Sequence, residues 1–459
     1  MDGLVWALAQ ATHELALFAA VGLAVGGLDD LIVDLIWIAR TLWRRATVYR
    51  RHLRANAADF ANTADGRVAV FVPAWQEAGV IGAMAATALS RWAGHDVRLY
   101  IGCYPNDPAT LAEVRSLAAH DRRLRLVVNS RPGPTTKADN LNAMWRALLA
   151  DETEAGERVV AVALHDAEDV VHSAEIAVYA TLCRRFDLVQ LPVLALIERD
   201  QGLWRRFVSA VSADEFAESH GKSLTVREAV GAAVPSAGVG CGLSRELLER
   251  IAARHGAPFD EGTVTEDYEL GLRIRDMGGR GIFVRIPADR GGSLVAVRAH
   301  FPDTIEAAVR QKARWQAGIA LSGWMRLGWR GGLAERWMRF RDRRAILAAL
   351  VLTCAYLSGL FLLVLGWAGS APSFSESELA LFGLCTGLMI WRVAMRALFV
   401  GRIYGPAEAI ASVPRILLGN LIAIAAARSA LVSYLRLARG GALIWDKTEH
   451  RFPKDMPAE

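Results

Sequence analysis

Charge and cysteine are both scarce in this sequence of 459 residues. Only 22% of the residues are charged and 53% are hydrophobic, with a mean hydropathy of +0.23; a soluble domain carries about a quarter charged residues. Five cysteines, Cys103, Cys183, Cys241, Cys354 and Cys385, are scattered and never spaced as C-x-x-C. That pattern excludes a disulfide framework and supplies no zinc motif. Lysine is nearly absent, at 5 of the 53 basic residues, which makes Lys137 conspicuous. There is no internal repeat and no low-complexity segment, so solenoids and propellers are excluded. The length suits two or three domains with a large core.

The excess of 53 basic over 48 acidic residues is a mild +5, too small to imply a nucleic-acid partner unless it is clustered. It is clustered, but next to apolar stretches. Six arginines and no acid lie between Arg40 and Arg54, after the apolar run 15–39, and seven arginines face only Glu335 and Asp342 between Arg326 and Arg344, before the run 345–367. Cytoplasmic flanks of membrane helices explain this placement better than a nucleic-acid footprint.

A hydrocarbon core of about 30 Å needs roughly 20 helical residues, which gives spans at 15–39, 345–367 and 380–400. No Lys or Arg precedes Arg40, so the first span is expected to be retained, with the N-terminus outside and residues 40–344 in the cytoplasm. The stretch 414–435 is interrupted by Asn420 and Arg428 and flanked by arginines on both sides. It reads as an interfacial or re-entrant helix with a cytoplasmic C-terminal tail. Asp29, Asp30 and Asp34 in the first span are costly in lipid unless paired. The shared i, i+4 spacing pairs Asp30 and Asp34 with Arg392 and Arg396 of the third span. The organisation is therefore a membrane helix with its basic flank (1–54), a cytoplasmic domain (55–344), two membrane helices (345–400) and an interfacial segment with its tail (401–459).

Within the cytoplasmic region, β-branched runs alternate with helical patterns. Strands are predicted at 68–72, 97–101, 124–128, 159–164 and 188–192, and helices at 80–92, 110–119, 138–150 and 174–186. Alternation of this kind argues for an α/β domain around a mostly parallel sheet, with functional residues beyond the carboxyl ends of the strands.

Those ends carry Pro73-Ala74-Trp75-Gln76-Glu77, Tyr104-Pro105-Asn106-Asp107 and His165-Asp166-Ala167-Glu168-Asp169. Two acids one residue apart past a buried strand can reach one cation, and oxygen ligands suit Mg²⁺ or Mn²⁺. A single pair of this kind is ordinarily a solvated capping loop. Two further elements stand downstream: Thr263-Val264-Thr265-Glu266-Asp267, an acidic helix start with Thr265 as N-cap, and Arg310-Gln311-Lys312-Ala313-Arg314-Trp315 before the second span.

Asp-x-Asp-like, Thr-Glu-Asp and Gln-x-x-Arg-Trp elements, in this order and between membrane helices, resemble those of the membrane-bound glycosyltransferases of family 2, the group of cellulose and hyaluronan synthases. The likeness covers roughly residues 65–325 and includes Lys137-Ala138-Asp139-Asn140-Leu141-Asn142, similar to the family's K-A-x-N-L-N. Three further elements, Asp214 to His220, Pro235 to Gly240 and Trp445 to Pro453, resemble the inner-membrane phage adsorption protein B family, whose members are similar glycosyltransferases tied to surface glycans and outer-membrane partners. Longer members of it carry a further C-terminal cyclic-di-GMP-binding domain.

The resemblance implies a GT-A-like domain and an inverting, metal-dependent transfer from a nucleotide-diphosphate sugar, such as a UDP-sugar, at the inner face of a bacterial inner membrane. A metal-bound diphosphate leaves without an acid, so one base suffices. Asp267 is expected as that base, Asp166 and Glu168 as diphosphate and metal contacts with Asp169 as a rival ligand, and Asp107 with Glu77 at the nucleotide base and ribose. Lys137, Asn140 and Arg314 are expected near the diphosphate, and Glu266, Gln311 and Trp315 on the acceptor side. Arg314 and Trp315 also suit a snorkelling belt at the membrane edge. His165 and His220 read as structural, and Cys241 as packing. The acceptor is expected to be a glycan or a lipid-linked sugar, and a polymer product would need a homodimer or an export partner. Transfer to a polyprenyl phosphate, and a non-catalytic scaffold or receptor on the same fold, are the alternative readings.

Overall fold

The computed structural model describes residues 2–61, 63–197, 202–440 and 451–453. Most of the Trp445–Pro453 element therefore lies outside the described residues. The chain opens with a helix of 45 residues, α1 (Asp2–Ala46). At 1.5 Å per residue it is ~68 Å long, about twice the hydrocarbon thickness, and it ends on the first arginine cluster.

The α/β domain is built on a seven-stranded sheet. Its strands are β1 (Val68–Pro73), β2 (Val97–Cys103), β3 (Leu124–Val128), β4 (Ala161–Leu164), β5 (Leu188–Gln190), β7 (Cys241–Ser244) and β8 (Gly281–Phe283), in the order β3-β2-β1-β4-β7-β5-β8. A two-stranded parallel sheet pairs β6 (Val193–Leu196) with β9 (Val297–His300). The pairs β1–β2, β1–β4, β2–β3 and β5–β8 are parallel, whereas β7 runs antiparallel between β4 and β5. All five predicted strands are present. The unpredicted β7 reads Cys-Gly-Leu-Ser, without the branched side chains that mark a strand. It fits because Gly242 passes under the Tyr179 ring, where a Cβ would meet Tyr179 Cδ1 at 2.6 Å.

Strand β1 is buried on both faces, as parallel strands covered by helices are. Val68, Val70 and Val72 pack on the layer containing Met84 and Trp92, and Ala69 and Phe71 on the opposite layer with Leu141 and Met144 of α2 (Lys137–Ala155). The remaining helices that shape the site are α3 (Leu203–Glu218), continued by a π-helical turn Ser219–Ser223, then α4 (Glu266–Asp276) and α5 (Ile305–Gln316).

After α6 (Leu333–Arg343) come α7 (Ala345–Trp367), α8 (Glu376–Tyr404) and α9 (Pro406–Ala438). Among the described residues four helices, α1 and α7 to α9, are long and apolar enough to cross a membrane. Asp30 pairs with Arg392 as expected. Asp34 does not take Arg396; it binds Lys222 at 2.5 Å and the Trp391 indole at 2.8 Å. Arg396 lies one turn further along and meets Glu218 of α3 at 3.5 Å. Asp29 accepts from Arg344 and from the Trp337 indole, both at 2.6 Å.

The stretch 414–435 lies within one unbroken helix, α9, with Pro414 inside it. Near its start Arg415 binds the buried Asp214 of α3 twice, at 2.8 Å each, and Glu408 at 2.6 Å. Leu418 and Ile422 pack on Val208 and Val211 of α3, and Ala426 and Ala430 on Ala313 and Ala317 of the α5 segment. Both ends of α9 thus touch the α/β domain.

Candidate active site

A cavity of about 700 Å³ lies past the carboxyl ends of β1 and β4. Of the residues singled out in the sequence, Glu77, Lys137, Asp166, Glu168, Glu266, Asp267, Gln311, Arg314 and Trp315 all line it. They come from five separate segments, so the convergence is a property of the fold and not of neighbouring positions in the chain.

At the end of β1 the backbone is forced into a left-handed turn, with φ of 55° at Gln76, a conformation that costs a non-glycine residue energy and must be held from outside. Asp107 holds it. Its Oδ2 accepts from Gln76 N at 2.6 Å while its Oδ1 caps the following helix at Thr110 N. Thr110 Oγ1 accepts from Glu77 N at 3.0 Å. Asp107, expected at the nucleotide, does not line the cavity; it supports the turn that presents Glu77. Asn140 likewise stands behind the site. It is fully buried and donates to the Gly102 carbonyl at 2.9 Å, which anchors α2 to β2 and leaves no surface for a diphosphate.

At the end of β4, His165 is fully buried, with Nδ1 3.0 Å from Asp169 and Nε2 3.0 Å from Glu175. Burial opposes its charge, but the two carboxylates prevail and raise its pKa to about 10. The same Asp169 oxygen accepts from Asp166 N at 3.0 Å. Asp169, the rival ligand, borders the cavity alongside Asp166 and Glu168, but its Oδ2 is already engaged by His165 and the Asp166 N–H. His220 is also buried, and its Nδ1 accepts from Val193 N at 2.9 Å. Burial, aided by Arg285, pushes its pKa down to about 3.

Lys137 stands at the first turn of α2, after the N-cap Thr136, and its Nζ lies 2.5 Å from Asp166 Oδ1. Burial works against its charge, yet Asp166, Glu266 and Asp267 outweigh burial and hold its pKa above the ordinary lysine value. The acids respond in kind. Burial and then Asp267 push Glu266 up to about 7, and burial raises Asp267 against the opposing pull of Lys137. Asp267 is held by Tyr268 N at 2.7 Å and lies against Gly238, whose φ of +74° and lack of a side chain leave room for the carboxylate. Thr265 occupies the N-cap position of α4 as expected, but its side chain makes no capping bond.

The opposite wall carries Trp315, which packs edge-on to Phe216 with ring centroids 6.2 Å apart, and Phe301, 4.7 Å from Phe216. Ser429, Ser433, Tyr434 and Arg436 of α9 complete it. None of these α9 residues belongs to a recognisable motif. The i, i+4 serines on an otherwise apolar helix were the one signal that could have pointed to them.

Asp166 and Glu168 could hold a divalent cation. Among the described residues no group of three or more His, Cys, Asp or Glu forms a metal cage. Two carboxylates still fit Mg²⁺ or Mn²⁺, since Mg²⁺ is commonly bound through one or two carboxylates and completed by substrate phosphates and water.

Residues 65–318 match the glycosyltransferase-like family 2 model. The chain is 36% identical over 465 aligned positions to bacteriophage adsorption protein B of Escherichia coli K12, and equally to bacteriophage N4 adsorption protein B of Escherichia coli O157:H7. Each alignment covers 96% of this chain and 62% of the relative, so the chain spans less than two thirds of their length. Among solved structures, a mannosyltransferase of Pyrobaculum calidifontis in complex with GDP-Man and Mn²⁺ is 17% identical, covering 88% of this chain and 99% of that one, with a TM-score of 0.47. A glucosyl-3-phosphoglycerate synthase of Mycobacterium tuberculosis is 17% identical, covering 61% and 85%, with a TM-score of 0.35. With the family model matched over more than half of its length, this chain belongs to the glycosyltransferase-like family 2.

Proposed function

We propose that the protein is an inverting membrane glycosyltransferase that moves a sugar from a nucleotide-diphosphate sugar, a UDP-sugar in the first instance, to a glycan acceptor in surface polysaccharide synthesis at the cytoplasmic face of a bacterial inner membrane. The observation that carries this reading is the convergence of Asp166, Glu168, Lys137, Asp267 and Arg314 on one cavity.

Glu77 sits where a nucleoside would lie, at the end of β1. Asp166 and Glu168 would hold Mg²⁺ or Mn²⁺, which when bound neutralises charge on the leaving diphosphate. Lys137 and Arg314 add positive charge on the same side. Asp267 takes the proton of the acceptor hydroxyl as that oxygen attacks the anomeric carbon from the face opposite the leaving group, which inverts the configuration. Its raised pKa suits that role, because a base is most effective with a pKa near the working pH. Glu266, Gln311 and Trp315 face the acceptor. Trp315 offers a flat apolar face to a sugar ring.

The reading is tested with membranes containing the full chain and a panel of labelled nucleotide sugars. High-molecular-weight label supports a glycan acceptor, and organic-extractable label supports the alternative of a polyprenyl-phosphate acceptor. Absence of turnover with every donor, in a folded preparation, would leave the scaffold or receptor reading in its place.

A further inference from the structure

Three arginines meet at the edge of the membrane helices with no carboxylate among them in the described residues. Arg54 follows the basic flank of α1, Arg285 follows β8, and Arg402 lies in the last turn of α8. Arg54 Nη2 donates to the Arg285 carbonyl at 2.9 Å. Arg285 Nη1 donates to the Gly221 carbonyl at 3.1 Å. The Arg402 guanidinium lies 5.3 Å from the Trp37 ring centroid and 5.8 Å from that of Phe399.

Arg285 is the informative member. Its Nε is buried and has no hydrogen-bond partner among the described residues, although a guanidinium taken out of water needs its donors satisfied. Acids on α1 and around the π-helical turn are committed elsewhere: Glu218 to Lys222 and Arg396, Asp34 to Lys222, and Glu228 to Arg40. Burial, together with Arg54 and Arg402, pushes the Arg285 pKa down to about 10. The protein thus holds three like charges together with one donor unanswered, an arrangement that an anion would complete.

The geometry points to a phosphate-binding site formed by Arg54, Arg285 and Arg402, whose ligand is the phosphodiester of an anionic phospholipid headgroup. Guanidinium groups suit phosphate oxygens because their donors are arranged in a planar fork. The location selects the lipid: Trp37 and Phe399 pack edge-on at 4.9 Å beside the arginines, giving an apolar wall under a basic rim, as in basic pockets between membrane helices on the cytoplasmic side. The assignment of this corner to the cytoplasmic leaflet rests on the membrane orientation proposed above. Occupancy also has a route to the active site, since the Gly221 carbonyl that Arg285 holds belongs to the π-helical turn whose Ser219 and His220 line the cavity.

The test is native mass spectrometry of the purified full chain in detergent, titrated with phosphatidylglycerol, phosphatidylcholine or inorganic phosphate. No sugar transfer is read, so the result stands apart from the catalytic reading. The wild type should retain one phosphatidylglycerol in preference to phosphatidylcholine, and Arg285→Gln and Arg402→Gln should each weaken that retention about fivefold. Arg402 is exposed, so its variant keeps the test valid if Arg285→Gln fails to fold. Arg45→Gln, in the same basic stretch but outside the trio, should change little. Inorganic phosphate that binds the wild type and not the variants, with no preference for phosphatidylglycerol, would keep the phosphate site but overturn the lipid as its ligand. Equal retention by wild type and both trio variants would overturn the site itself.

Discussion

Lys137 Nζ and Asp166 Oδ1 lie 2.5 Å apart at the base of the cavity, joining the first turn of α2 to the end of β4. The contact ties the one lysine that lines the cavity among the described residues to a carboxylate proposed to hold the metal. On the function proposed above, such a charge would hold the diphosphate side ready before the donor arrives. Lys137→Met should therefore lower kcat/KM for the donor by about 100-fold or more, with Lys137→Arg recovering part of the loss. Steady-state nucleotide release checks this, and an unchanged kcat/KM in the methionine variant removes Lys137 from the diphosphate.

Asp267→Asn should abolish sugar incorporation, a loss of at least about 100-fold, the range for removing a general base. The amide is nearly isosteric and Tyr268 N can still donate to its oxygen, so the thermal unfolding midpoint should stay close to that of the wild type. Turnover that survives in this variant would place the base elsewhere.

The acids of α4 also set a pH dependence. Burial and Asp267 raise Glu266 to about 7, and burial raises Asp267 as well. A base with a raised pKa works only once it has lost its proton, so activity should be present above the raised pKa of Asp267 and fall on the acid side at a higher pH than an ordinary aspartate would give. Glu266→Gln removes a like charge from beside Asp267, which should move the acid limb of the kcat/KM profile to lower pH. A limb that stays in place or moves upward contradicts this coupling.

Gly238 tests whether the position of Asp267 matters as much as its charge. With φ of +74°, any side chain at 238 is strained, and a Cβ there would collide with Asp267 Oδ2. Gly238→Ala should cost about 1 kcal/mol or more of stability and reduce kcat much more than it changes donor binding, because the carboxylate must shift while the diphosphate side stays in place. Equal losses in both would mean that the substitution disturbs the whole site.

How much of this was legible in the sequence depends on the kind of residue. Strand β3 has the bounds its β-branched run predicts, 124–128, and the acids of β4 and α4 reach the cavity because strand ends and helix starts are marked by local pattern. Supporting residues are a different matter. Asp107 and Asn140 carry the same functional groups as cavity residues, and only tertiary packing shows that one props the Gln76 turn and the other anchors α2. Strand β7 was invisible because its Cys-Gly-Leu-Ser is selected by the Tyr179 ring above it and not by strand propensity. The α9 wall could be read only as two serines on a hydrophobic helix, since what they face is decided by the packing of α9 along α5.

That packing also bears on the side of the membrane to which the tail belongs. A 33-residue helix is ~50 Å long and could cross a bilayer, but crossing would carry one end away from the α/β domain. Near its start, Arg415 is locked to the buried Asp214, and near its finish Ser429 to Leu437 line the cavity, so α9 is expected to lie along the cytoplasmic interface. Its exposed Ile410, Leu417, Leu421 and Leu435 would then dip into the lipid while Arg436 and Arg439 remain in the cytoplasm. In a background without the native cysteines, Arg439→Cys should react with an impermeant maleimide only after the membrane is opened, like a cysteine placed at Arg50 and unlike one at Ser373. Labelling of Arg439→Cys in intact spheroplasts would make α9 a fourth crossing. The same anchor predicts that Arg415→Met, which leaves Asp214 buried without its partner, costs about 3–5 kcal/mol, readable as a lowered unfolding midpoint.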